Sequence, residues 1–163
     1  VNKLFYRKSD ILRGALIYTS GDTIAALLLN EFTFIRMLGI ALIGATFYAF
    51  EIPNYFAWID RKISAEKNFT ASLKRTELAL LYFNPLWIAR HLLFINIIKN
   101  NFANIGWGLI EIGFYSFLFN IPVSLIMNFL IQNKIPLRWR FVASASFSAL
   151  MAIYYAASEV IFK

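Results

Sequence analysis

Between Arg36 and Lys62 the chain carries more than twenty consecutive residues whose only formal charge is Glu51. At 1.5 Å per residue a helix over such a run exceeds a hydrocarbon core of about 30 Å, so residues 36–62 are expected to cross a membrane. Composition points the same way. Hydrophobic residues make up 60% of the chain and charged residues 15%, where soluble domains usually carry about a quarter. Aromatic residues, at 18%, are numerous enough both to pack helices and to mark membrane interfaces. The expected fold is all-α: a polytopic transmembrane helix bundle of about five spans, with four as the alternative, forming a single domain over 1–163.

Four further apolar runs complete the pattern. The first, 11–30, has Lys3, Arg7, Lys8 and Arg13 at its start. A basic start before an apolar run can imitate a signal peptide, but the run reaches about twenty residues and lacks an Ala-x-Ala site, so it is expected to be retained. The polar, basic stretch 61–75, including Lys67 and Glu66, is the longest expected extramembrane segment. A third span is expected over 76–98 and a fourth over 104–131, kinked at Pro122. After the turn 132–140 comes a fifth, 141–162. Counted segment by segment, twelve Lys and Arg fall on one side of the membrane and three, among them Lys163, on the other. That bias favours an odd number of spans, with the N-terminus on the positive side.

Four charges, Asp22, Glu51, Arg90 and Glu111, fall within or close to these spans. An intramembrane charge is costly, so each is expected to pair, face the interior or reach water. Two readings follow. Arg90 pairs with one of the acids and fixes helix packing, or the four charges line a polar path extended by Asn54, Asn84, Asn120 and Asn128. His91 is either a titratable gate on that path or a hydrogen-bonded packing residue. Tyr55, Phe56 and Trp58, beside Asp60-Arg61-Lys62, read as interfacial anchors, and Arg138, Trp139 and Arg140 repeat that chemistry with a basic surface for anionic headgroups. The density of Ala and Ser from Ala143 to Ala149 suits close helix packing, within the bundle or in a homo-oligomer. Gly39 and Gly44 fall five apart, and Gly14, Thr19 and Gly21 scatter around their helix, so no strict small-residue ridge is expected there.

Other classes lack support. The net charge of +7 is spread over short segments between apolar runs, which suits topology better than nucleic acid. No cysteine and a single histidine leave no familiar metal set, and no cofactor is expected. Ser20-Gly21-Asp22 is no nucleophile elbow, and no phosphate loop or zinc motif is present, so no enzyme is expected.

Several short motifs, in order, resemble the Mpv17/PMP22 family of small organellar membrane proteins. Ser20 to Ala25, SGDTIA, is similar to the Gly-Asp and apolar pair of the family's first span. Arg36 and Gly44 match its next arginine and glycine, Ile59-Asp60-Arg61 its Leu-Asp-Arg, and Pro85 its third-segment proline. Pro122, Asn128 and Phe129 reproduce its proline followed by Asn-Phe, and Ile135-Pro136-Leu137 with Arg140 resembles its Val-Pro-Leu and arginine. The similarity runs from about Leu12 to Ser158. Departures are that Ala49-Phe50 replaces a Gly-Pro, Pro53 a histidine, Tyr55-Phe56 a Trp-Tyr and Ala79-Leu80 an Asp-Gln. The resemblance implies a channel-like protein passing ions or small solutes across an organellar membrane. The basic N-terminus favours the mitochondrial inner membrane over a peroxisomal or bacterial inner membrane. A non-transporting structural or assembly subunit of a membrane complex is the next reading, and a gated secondary transporter the third.

Overall fold

A computed structural model of the chain describes residues 4–63 and 68–161, with side chains up to 154 in the last helix. Lys3, Glu66, Lys67 and Lys163, used in the charge pattern, lie outside the described residues, as does the Phe162 end of the expected last span. The elements are α1 (Lys8–Leu28), α2 (Phe34–Ile43), a π-helical turn at Gly44–Tyr48, α3 (Ala49–Lys62), α4 (Phe69–Tyr82), α5 (Pro85–Ile98), a 3-10 turn at Phe102–Asn104, α6 (Gly108–Lys134) and α7 (Leu137–Ile161). Four apolar helical segments, Lys8–Leu28, Phe34–Lys62, Phe69–Ile98 and Gly108–Lys134, are long enough to cross a membrane. The fifth expected span falls on α7, which at 25 residues is about 37 Å long.

Large apolar side chains lie outside the bundle as well as in its core. Leu12, Leu38, Leu42, Phe119, Ile126 and Leu150 are exposed, whereas Asp22, Arg36, Thr76, Asn128 and Gln132 are buried. Apolar side chains on the outside are stable when the solvent there is hydrocarbon, and polar groups then retreat to where they find partners. This is an integral membrane protein with several spans.

The chain forms two compact units. One comprises residues up to 55 together with those from 137 onward, the other residues 56–136, so the boundary falls inside α3. In the first unit α1 packs on α2, the π turn and α7. Backbone approach sets the register. A Cβ on Gly14 would collide with the Gly44 carbonyl, and one on Gly21 with Ala149. In lipid, where apolar burial drives little association, such close contact is what holds helices together. The small-residue stretch of α7 therefore packs internally, as expected. Gly14 and Gly44 instead meet one another, α1 against the π turn, a pairing that spacing within either helix does not reveal.

In the second unit α6 packs on both α4 and α5, and a Cβ on Gly113 would meet the Pro85 carbonyl. Three boundaries differ from expectation. The polar stretch 61–75 is helical from Phe69, because Asn68 accepts the Ala71 N–H at 2.7 Å and caps α4. The expected span 76–98 divides into α4 and α5 where Pro85, lacking an N–H, takes the first helical position and Asn84 caps it. The fourth span begins at Gly108, after the 3-10 turn, and stays helical through Pro122.

Candidate functional site

The strongest polar constellation joins α1, α2 and the turn between them. Asn30 adopts a left-handed conformation, φ 57°, which asparagine tolerates well, and turns the chain back on itself. Thr33 then caps α2 by accepting the Arg36 N–H at 3.2 Å, which sets Arg36 in the first turn facing α1. There the guanidinium grips Asp22 with two bonds. Nε donates to Oδ2 at 2.8 Å and Nη2 to Oδ1 at 2.7 Å. Nη1 donates to Glu31 Oε2 at 3.1 Å. Asp22 and Arg36 are only 7% and 6% exposed, while the Glu31 side chain remains about half exposed, at 47%. A planar fork matched to a carboxylate is the arrangement in which a desolvated pair recovers most of its solvation cost. Both Asp22 oxygens are engaged by the same arginine.

Asn54, also in the first unit, works as a clamp. Its Oδ1 accepts the Phe5 N–H at 3.0 Å while its Nδ2 donates to the Phe5 carbonyl at 2.7 Å and to the Phe50 carbonyl at 2.7 Å. The segment before α1 is thereby tied to α3 by a two-point amide match. Tyr6 reinforces it by donating to the Ala45 carbonyl in the π turn at 2.5 Å. Glu51, one turn before Asn54's neighbour Tyr55, is half-buried.

The second unit holds the other expected positions. Asn84 accepts from the N–H groups of Leu86 and Trp87 at 2.8 and 3.1 Å, so its side chain serves as a helix cap. His91 stacks on Trp87, ring centroids 6.0 Å apart and planes 4° from parallel. Arg90 and Asn120 are half-buried. Glu111 is exposed in the first turn of α6, whereas Asn128 is buried about 25 Å further along that helix and donates to the Ser124 carbonyl at 2.9 Å. Of the four intramembrane charges, Asp22 and Glu51 belong to the first unit and Arg90 and Glu111 to the second. Asp22 finds its partner in Arg36.

Sequence reasoning passed over the best-connected polar cluster of that unit. Asn133 donates to the Ser72 carbonyl at 3.2 Å, to Thr76 Oγ1 at 3.4 Å and to the Phe129 carbonyl at 2.9 Å, and accepts from Arg75 Nη1 at 3.4 Å. Thr76 and Gln132 are fully buried beside it in the chain or across α4 and α6. The available signal was the helical spacing of Ser72 with Thr76 and of Asn128 with Gln132. Arg36 stood only as the border of an apolar run and a motif residue, and neither it nor Glu31 in the preceding turn was given a partner.

The expected anchors separate. Trp58 is 36% exposed and Tyr55 half-buried, as an interface allows, but Phe56 is fully buried against Phe83, with ring centroids 6.4 Å apart, and is a core residue. Arg138 and Trp139 are exposed, and the Arg13 guanidinium lies 4.6 Å above the Trp139 ring. Arg140 is buried and so leaves the basic surface. Among the described residues no group of three His, Cys, Asp or Glu is placed to hold a metal ion. No family model matches the chain, and no curated protein or solved structure matches it.

Proposed function

We propose that the chain is a structural or assembly subunit of a membrane, a divergent protein of the Mpv17/PMP22 type in which the intramembrane charges fasten helices. The observation that carries this reading is Asp22, buried, with both carboxylate oxygens held by Arg36 at 2.7 and 2.8 Å. An acid that lines a conducting path must keep part of its carboxylate open to water or ions. Three of the motif residues behind the family resemblance serve the same end. Gly21 admits Ala149, Gly44 admits Gly14, and Arg36 clasps Asp22. The mitochondrial inner membrane suits the reading first, then a peroxisomal or bacterial inner membrane.

One observation favours passage of small solutes as the second reading. Ser72, Thr76, Asn133 and Gln132 put a polar seam on adjoining α4 and α6. Single-channel recording of the purified protein in planar bilayers separates the two, with Asp22→Asn, Glu51→Gln and Asn133→Leu variants checked for folding. A folded wild type that stays silent across voltage and pH supports the structural role. Discrete openings whose selectivity changes in Asp22→Asn or Glu51→Gln overturn it, and openings altered only in Asn133→Leu move the function to the seam.

A further inference from the structure

We propose that α1 and α7 together hold one acyl chain of an anionic phospholipid, with its headgroup at Arg13 and Trp139. Between the two helices lies a groove of about 370 Å³, walled by Leu16, Ser20 and Ile24 on one side and Ser146, Leu150 and Ile153 on the other. Its floor is the Gly21–Ala149 contact, where small residues let the backbones approach. The Ser20 hydroxyl donates to the Leu16 carbonyl at 2.6 Å, so that wall spends its polarity internally. From Leu16 to Ile24 the groove follows about 12 Å of helix.

Both walls lead back to the same end. Arg13 precedes Leu16 by one turn, and Trp139 precedes Ser146 by two, on the faces that line the groove. The Arg13 guanidinium rests on the Trp139 ring and lies 3.8 Å from Asp10, with a third of its side chain still exposed. Arg7, Lys8 and Arg138 are exposed at that end, against Asp10 and the half-buried Glu51. An aromatic ring, a basic fork and an adjoining apolar groove match an anionic headgroup with its chain attached. A second copy of this chain fits less well, because copies in one membrane share an orientation and would bring their basic ends together.

Native mass spectrometry of the full chain, released from detergent with added palmitoyl-oleoyl phosphatidylglycerol or phosphatidylcholine, tests the site. The wild type should retain phosphatidylglycerol about fivefold better, the effect of roughly one basic side chain at an anionic surface. Arg13→Gln should erase that preference, and Ser146→Leu, which fills the groove, should reduce retention of both lipids. Leu16→Ser, at an exposed position of the groove, should also reduce retention of both and replaces Ser146→Leu in the test where that variant disturbs folding. Inorganic phosphate should not compete, since it has no chain to seat. Equal retention of the two lipids, an unchanged preference in Arg13→Gln, or displacement by phosphate would overturn the proposal.

Discussion

Arg36 serves two acids that belong to different segments, Asp22 from the middle of α1 and Glu31 from the turn that follows it. Removing its charge strands Asp22 where water does not reach. Arg36→Met is therefore expected to cost about 3–5 kcal/mol, the usual consequence of leaving a buried charge without its partner. The apparent melting temperature in detergent should fall accordingly. The double variant Asp22→Asn, Arg36→Gln removes both charges at once and should recover most of the loss. If Arg36→Met melts with the wild type, the pair does not hold the helices. Asp22 was legible as an acid inside an apolar run, but its partner was not, because a charge that borders a span is indistinguishable in sequence from a topological one. Asn54 poses the same difficulty. An asparagine in a span can cap, clamp or line a path, and only the position of Phe5, 49 residues earlier, decides it.

At the level of helices, close approach does what apolar burial does in a soluble core. Gly14→Ala places a methyl group against the Gly44 carbonyl, which belongs to the backbone and has little room to move. Overpacking of this kind costs about 1–3 kcal/mol. Gly106→Ala supplies the contrast, since a Cβ there meets nothing within 4 Å. A thermal melt in detergent should show a clear loss for the first and almost none for the second, and equal melts would mean that the contact of α1 with the π turn is slack. The helices themselves were readable from the length of apolar runs, and so was the packing role of the Ala/Ser stretch in α7. The Gly14–Gly44 contact was not, since spacing rules operate within one helix and this contact joins two segments. The division of the third span was foreshadowed by Asn84-Pro85, a cap followed by the residue best suited to open a helix. The early start of α4 was hidden because Lys74 and Arg75 suggest solvent while being good helix formers.

Across the molecule, the Arg13–Trp139 and Gly21–Ala149 contacts place α1 and α7 parallel, so their N-terminal ends face the same side. This is the arrangement that an odd number of crossings from α1 through α7 demands, in keeping with the bias of basic residues. The chain contains no cysteine, so single introduced thiols report topology cleanly. Ser9→Cys and Arg138→Cys should react with a membrane-impermeant maleimide from one side, and Asn30→Cys from the other. Labelling of positions 9 and 138 from opposite sides would contradict the parallel pairing.

The same pairing sets a schedule for synthesis. The face of α1 that bears Gly21 meets its partner only when Ala149 has been made, well over a hundred residues later, which at about 5–20 residues per second is roughly 6 to 25 s. Asp22 and Arg36, fourteen residues apart, can join almost at once. A nascent chain thus secures its charges first and leaves a seam of small residues open to the insertion machinery until the last helix arrives. A ribosome that stalls before Leu137 releases a protein whose first helix still waits for its lid, with an uncovered face for quality-control proteases to find.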